Sequence, residues 1–146
     1  MHSYRLLGAL VVAVLAVSCA SLDSSQELTS ADIESSCPGA TGIESALIQV
    51  TGDADAVDIT YAYPPNFETL TNLKDVNLPW VTCVNYAIQD AKGGNGLGVS
   101  ASLNSSNDPP VTCRLYVNGE LVETDSNDSN RMFSAQCEYR VNTTSS

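Results

Sequence analysis

Val111-Thr112-Cys113-Arg114-Leu115-Tyr116-Val117-Asn118-Gly119 is the stretch on which the fold reading turns. Val111, Cys113, Leu115 and Val117 alternate with Thr112, Arg114 and Tyr116, the period of two that sends every second side chain to one face of a β-strand. Asn118-Gly119 follows, a pair whose residues both tolerate positive φ and suit a two-residue type I′ hairpin turn. Leu121 to Glu123 starts the returning strand. The same period recurs outward in both directions. Ile48 and Val50 alternate with Leu47, Gln49 and Thr51, and Val57, Ile59 and Tyr61 with Asp58, Thr60 and Ala62. Val84, Tyr86 and Ile88 form a further run, as do Leu97, Val99, Ala101 and Leu103, and Phe133, Ala135, Cys137 and Tyr139. Gly52-Asp53, Pro64-Pro65-Asn66, Lys92 to Gly96 and Ser105 to Pro110 punctuate them with turn residues. About seven short antiparallel strands, each with one apolar face, predict an all-β sandwich. No stretch of the domain carries the period of an amphipathic helix.

The alternation also sorts the cysteines. Five occur, at 19, 37, 83, 113 and 137. Cys113 shares the apolar face of its strand with Val111 and Leu115, and Cys137 shares that of its strand with Phe133 and Tyr139. A bridge between them inside the sandwich is favoured, and closing that loop is worth about 3 kcal/mol. Cys83 has the opposite parity to Trp80, Val84 and Tyr86 and is expected to point outward, within reach of Cys37 in the segment entering the domain. Four cysteines allow three pairings, and the alternation favours Cys113–Cys137 and Cys37–Cys83 without excluding the others.

Residues 1–18 read as a signal peptide. Arg5 is their one charge, and Leu6 to Val17 is an apolar run of roughly a dozen residues, short of the about twenty needed to cross a bilayer as a helix. The run ends in Ala16-Val17-Ser18-Cys19, which is similar to a bacterial lipobox. Cleavage before Cys19 and lipidation of its thiol are therefore expected, which leaves an even number of cysteines for disulfides in an oxidising compartment. Residues 19–44 read as a lipid-anchored flexible tether; its polar part, Ala20 to Ser36, has an r.m.s. reach of about 20–25 Å. The sandwich is expected over 45–141, and 142–146 as a disordered tail. After the signal peptide, Lys74, Lys92, Arg114, Arg131 and Arg140 face all seventeen carboxylates. So acidic a surface excludes phosphate backbones and leaves the lipid as the expected membrane contact.

Catalytic chemistry is hard to assemble from what is left. The single histidine, His2, lies in the signal peptide. Gly93-Gly94-Asn95-Gly96 lacks the lysine and the following helix of a nucleotide site. Asp53, Asp55 and Asp58 read as a solvated strand edge. Asp125 to Asn130 reads as a polar loop, without the central glycine and distal glutamate of an EF-hand. The expectation is a non-enzymatic protein with no metal or cofactor.

From about Ala46 to Tyr139 the chain resembles the MmpS family, small membrane-linked accessory proteins of mycobacteria and related actinobacteria. The landmarks run in order: Ile48-Gln49-Val50-Thr51-Gly52; Ala56-Val57-Asp58-Ile59-Thr60-Tyr61; Val76-Asn77-Leu78-Pro79-Trp80; Val99-Ser100-Ala101; and Val111 to Gly119, with Cys137 as the closing cysteine. The resemblance implies an immunoglobulin-like sandwich outside the membrane, the Cys113–Cys137 bridge, and partnership with an MmpL transporter of the resistance–nodulation–division class that exports lipids or siderophores. The anchor departs from the family, whose members usually keep a transmembrane helix. Two functions follow as expectations: a transporter accessory with a contact patch at exposed Arg114 and Tyr116, or a stand-alone surface lipoprotein. In the second case Tyr61, Tyr63, Trp80 and Tyr86 are the candidate lining of an apolar pocket.

Overall fold

The computed structural model describes residues 28–29, 36–38, 43–65, 70–87, 96–127 and 133–140. The signal peptide, Cys19, most of the tether, the Lys92 to Asn95 turn, Asp128 to Asn130 and the 142–146 tail lie outside them. Eight strands form: β1 Ile43–Gly52, β2 Ala56–Ala62, β3 Thr71–Asn77, β4 Trp80–Ala87, β5 Gly96–Leu103, β6 Val111–Val117, β7 Glu120–Ser126 and β8 Ser134–Arg140. They make two four-stranded antiparallel sheets, ordered β4-β1-β6-β7 and β3-β2-β5-β8. The protein is thus an all-β sandwich, as the alternation predicts. Its connections differ from the ABED and CFG order of an immunoglobulin constant domain. Only β2–β3 and β6–β7 stay within a sheet; every other consecutive pair of strands lies in opposite sheets.

The core lies between the sheets. Ile48, Val50, Val111 and Leu115 from the first sheet meet Val57, Ile59, Leu97 and Ala101 from the second, all fully buried. Cys113 of β6 and Cys137 of β8 join the two sheets through this core, with Cα atoms 6.1 Å apart. Phe133, read as the first inward residue of the last strand, is a correction: it precedes β8 and is 52% exposed. Its backbone carbonyl accepts from the Leu103 amide, so the main chain is fixed while the ring faces solvent.

At the β6–β7 turn Asn118 has φ 51° and Gly119 φ 85°, the geometry of a type I′ turn. A Cβ on Gly119 meets nothing within 4 Å, so its cost is conformational alone. Gly119→Ala is accordingly expected to lower stability by about 1–2 kcal/mol. A shift in urea midpoint with unchanged slope is the check. Gly52 is needed on both counts, because it takes φ 151° and its Cβ would stand 2.7 Å from the Pro110 carbonyl oxygen.

β3 is the strand the sequence pattern leaves unread. Val57 pairs with Val76 while Ile59 pairs with Leu73, so β3 carries one extra residue, and Asp75 takes φ 52°. This bulge puts Leu73 and Val76, three apart, against the same core. Asp58 holds it from the neighbouring strand: its carboxylate pairs with the Lys74 ammonium and accepts the Asp75 amide at 3.2 Å.

Candidate functional site

Alternation along β1 and β6 sends Ser45, Leu47, Gln49, Thr51, Arg114 and Tyr116 to the outer face of the first sheet, where solvent is expected. The structure buries most of that face. Leu47 and Tyr116 are each 1% exposed, and Ser45, Gln49 and Thr51 are buried as well. Part of the cover is the chain that enters the domain. Cys37 is buried and bridged to Cys83, and Cys37, Leu47, Tyr116, Leu28 and Cys83 pack into one small apolar cluster. The Ser45 hydroxyl donates to the Pro38 carbonyl at 3.1 Å and lies 2.9 Å from the Asn85 side-chain amide. Its backbone exchanges two hydrogen bonds with Asn118, which ties the β6–β7 turn to β1.

The patch expected at exposed Arg114 and Tyr116 is therefore corrected. Tyr116 lies beneath the N-terminal segment, its hydroxyl donating to Gln49 Oε1 at 3.4 Å. Arg114 is half-buried and donates to the Thr51 hydroxyl at 3.1 Å. Strand parity gives the face on which a side chain lies; it does not say what covers that face. Within the stretch read as a lipid-anchored flexible tether, 19–44, Leu28 and Cys37 pack on the sheet. Both favoured disulfides are present, Cys37–Cys83 on the outer face and Cys113–Cys137 in the core.

Members of both acidic clusters have structural partners. The Lys74 ammonium and then the Asp75 amide hold the Asp58 carboxyl below its ordinary range. Asp125 Oδ2 accepts from the Gln136 amide at 2.9 Å, and the Ser126 hydroxyl meets that of Thr112. Asn127 Oδ1 accepts the buried Val111 amide at 2.6 Å. Among the described residues no group of three or more His, Cys, Asp or Glu side chains is placed to hold a metal ion. Asn127→Ala strands that amide in the core and is expected to cost about 1–3 kcal/mol, read as a lowered urea midpoint.

The four candidate aromatics separate into two sets. Tyr61 stacks on Tyr63 with centroids 6.5 Å apart and meets Trp80 at 5.6 Å, all three half-buried. Tyr86 is instead a core residue opposite Glu44 on β1. Burial, and next the Glu44 carboxylate, push its phenol above the ordinary value. Elsewhere a groove of about 430 Å3 crosses the outer face of the second sheet. Small residues, Ala62, Gly98 and Ser100, contribute to it beside Thr60, Leu70, Gln136 and Glu138. Nothing in the sequence pattern singles it out except the run of small residues in β5.

Fold and site define a class: a doubly bridged, all-β sandwich with Leu28 and Cys37 packed on the outer face of one sheet. Compared with known proteins, the chain matches no family model and no curated protein.

Proposed function

We propose that this chain is a non-enzymatic, lipid-anchored module of the cell envelope, an MmpS-like accessory to an MmpL transporter that exports lipids or siderophores. The observation that carries the reading is where the family landmarks fall in the fold. Ile48 to Gly52 forms the second half of β1, Ala56 to Tyr61 lies in β2, and Leu78-Pro79-Trp80 opens β4. Val99-Ser100-Ala101 lies in β5, and Val111 to Gly119 makes β6 and its turn. The Cys113–Cys137 bridge supports the same reading, since the resemblance implies that pairing. Lipidation at Cys19 is part of the proposal and rests on the lipobox-like Ala16 to Cys19.

Cross-linking in native membranes, pull-down of the full protein and mass spectrometry test both parts. The expected result is an acylated mature N-terminus at Cys19 together with specific recovery of a large multi-pass transporter, and loss of the acyl group in Cys19→Ser. An acylated chain that recovers no transporter would refute the accessory role and leave the anchor standing.

One observation favours a second reading, a stand-alone ligand-binding lipoprotein: the Tyr63, Tyr61 and Trp80 row is only half-buried. A saturable change in Trp80 fluorescence with envelope lipids is its expected signature, and a flat titration removes it.

A further inference from the structure

The two disulfides sit in different surroundings. Cys113 and Cys137 are 0% and 1% exposed, in the middle of the core between the sheets. Thiol–disulfide exchange requires a thiolate to reach one of the sulfurs, so that bridge reacts only when the sandwich itself opens. Cys37–Cys83 lies outside this core, on the outer face of the first sheet. Cys83 is half-buried, and Cys37, although buried, stands between the exposed Ser36 and Pro38.

Opening the outer bridge leaves the sheet its own hydrogen bonds. β4, which carries Cys83, is held to β1 by a ladder unbroken from Ile43↔Ala87 to Val50↔Trp80. The bridge fastens Cys37 to that ladder, and with Cys37 the cover over Leu47 and Tyr116. Leu28, Cys37, Leu47, Tyr116 and Cys83 form a small cluster of their own, apart from the core, beside the hydrogen bond from the Ser45 hydroxyl to the Pro38 carbonyl. Cys37 Sγ lies 3.4 Å from the Ala46 carbonyl oxygen. As a disulfide sulfur it has no proton to donate; as a thiol it finds its acceptor in place. The reduced form therefore strands no new donor on the sheet.

We propose that Cys37–Cys83 is a reversible redox latch: a dithiol reductant opens it while Cys113–Cys137 stays closed, and the Leu47–Tyr116 face then becomes accessible to solvent. One thiolate of the reductant attacks Cys83 Sγ and forms a mixed disulfide, and Cys37 leaves as a thiolate that takes up a proton. The second thiolate of the reductant then attacks the reductant's own sulfur in that mixed disulfide. Cys83 is released and protonated, two electrons have passed to the protein, and the reductant ends as a disulfide. Glutathione disulfide runs the same exchange in reverse.

The test uses the full chain in mild detergent without denaturant, with dithiothreitol as the reductant, alkylation and peptide mass spectrometry. Alkylation of Cys37 and Cys83 is expected while the Cys113 and Cys137 peptides remain linked and the circular dichroism spectrum is kept. Hydroxyl-radical footprinting of the same sample is expected to show oxidation of Leu47 and Tyr116 rising on reduction and falling again after glutathione disulfide is added. A Cys37→Ser/Cys83→Ser chain is expected to give the raised footprint without reductant and no response to it. Both bridges opening together, neither opening, selective opening with an unchanged footprint, or a bridge that does not re-form overturns the proposal. The unaltered chain decides the matter even where the double variant fails to fold.

Discussion

Tyr116→Ala is expected to lower the unfolding free energy by about 3–5 kcal/mol, the range for removing a fully buried large aromatic side chain. The residue is among the largest fully buried side chains of the domain, although it lies outside the space between the sheets. Its loss opens a void beneath the docked N-terminal segment, against Leu47 and the Cys37–Cys83 bridge. Tyr116→Phe keeps the ring and removes a hydroxyl that donates to Gln49, so a cost of about 1 kcal/mol is expected. Urea unfolding of the two variants beside the parent separates packing from hydrogen bonding. A Tyr116→Ala protein as stable as the parent would show that this face is not packed as described. The result also bears on the accessory role proposed above: a loss of export in Tyr116→Ala would report an unstable domain and not a vanished contact patch.

Replacing Cys113 and Cys137 together with alanine is expected to cost about 4–5 kcal/mol. Opening a loop with a sequence separation of 24 accounts for about 3.5 kcal/mol of this by chain entropy. The rest comes from packing lost around two sulfurs in the middle of the core. The Cys37–Cys83 loop has a sequence separation of 46, and the same entropy estimate gives about 4 kcal/mol. The two pairs are distinguished by what else fails. Without Cys37–Cys83, the core between the sheets keeps its residues while amides on the outer face of β1 and β6 gain exchange. Without Cys113–Cys137, protection is expected to fall across both sheets. Equal and uniform loss in the two variants would contradict this division.

How much of this could be read beforehand differs from one element to another. In β6 the apolar side chains keep strict parity, and the type I′ turn after it needs only Asn118 and Gly119, so that strand and its turn were legible. Cysteine parity likewise separated an inward pair from an outward one. β3 was not legible, because its bulge spaces Leu73 and Val76 by three and breaks the period of two that marks a strand. In β7 a similar register shift places Val122 against the core one residue after the exposed Leu121. The buried outer face is the larger miss. Leu47 and Tyr116 were visible as outward apolar residues beside an outward cysteine, a sign that something lies over them. What lies over them is set by tertiary contact and leaves no period in the sequence.

The position of β1 has a further consequence, for the order in which the fold can form. β1 is the first strand in the chain, yet it sits inside its sheet, paired on one side with β4 and on the other with β6. Ala46 waits for Val84 and then for Val117, the last residue of β6. Contacts of such long range close slowly, because the loop entropy must be met before any contact forms. A chain emerging N-terminus first therefore carries β1, the strand with the most buried residues, unpaired until most of the sequence has followed. Any fragment ending before Val111 lacks β6, one of the two strands that flank β1 in the first sheet.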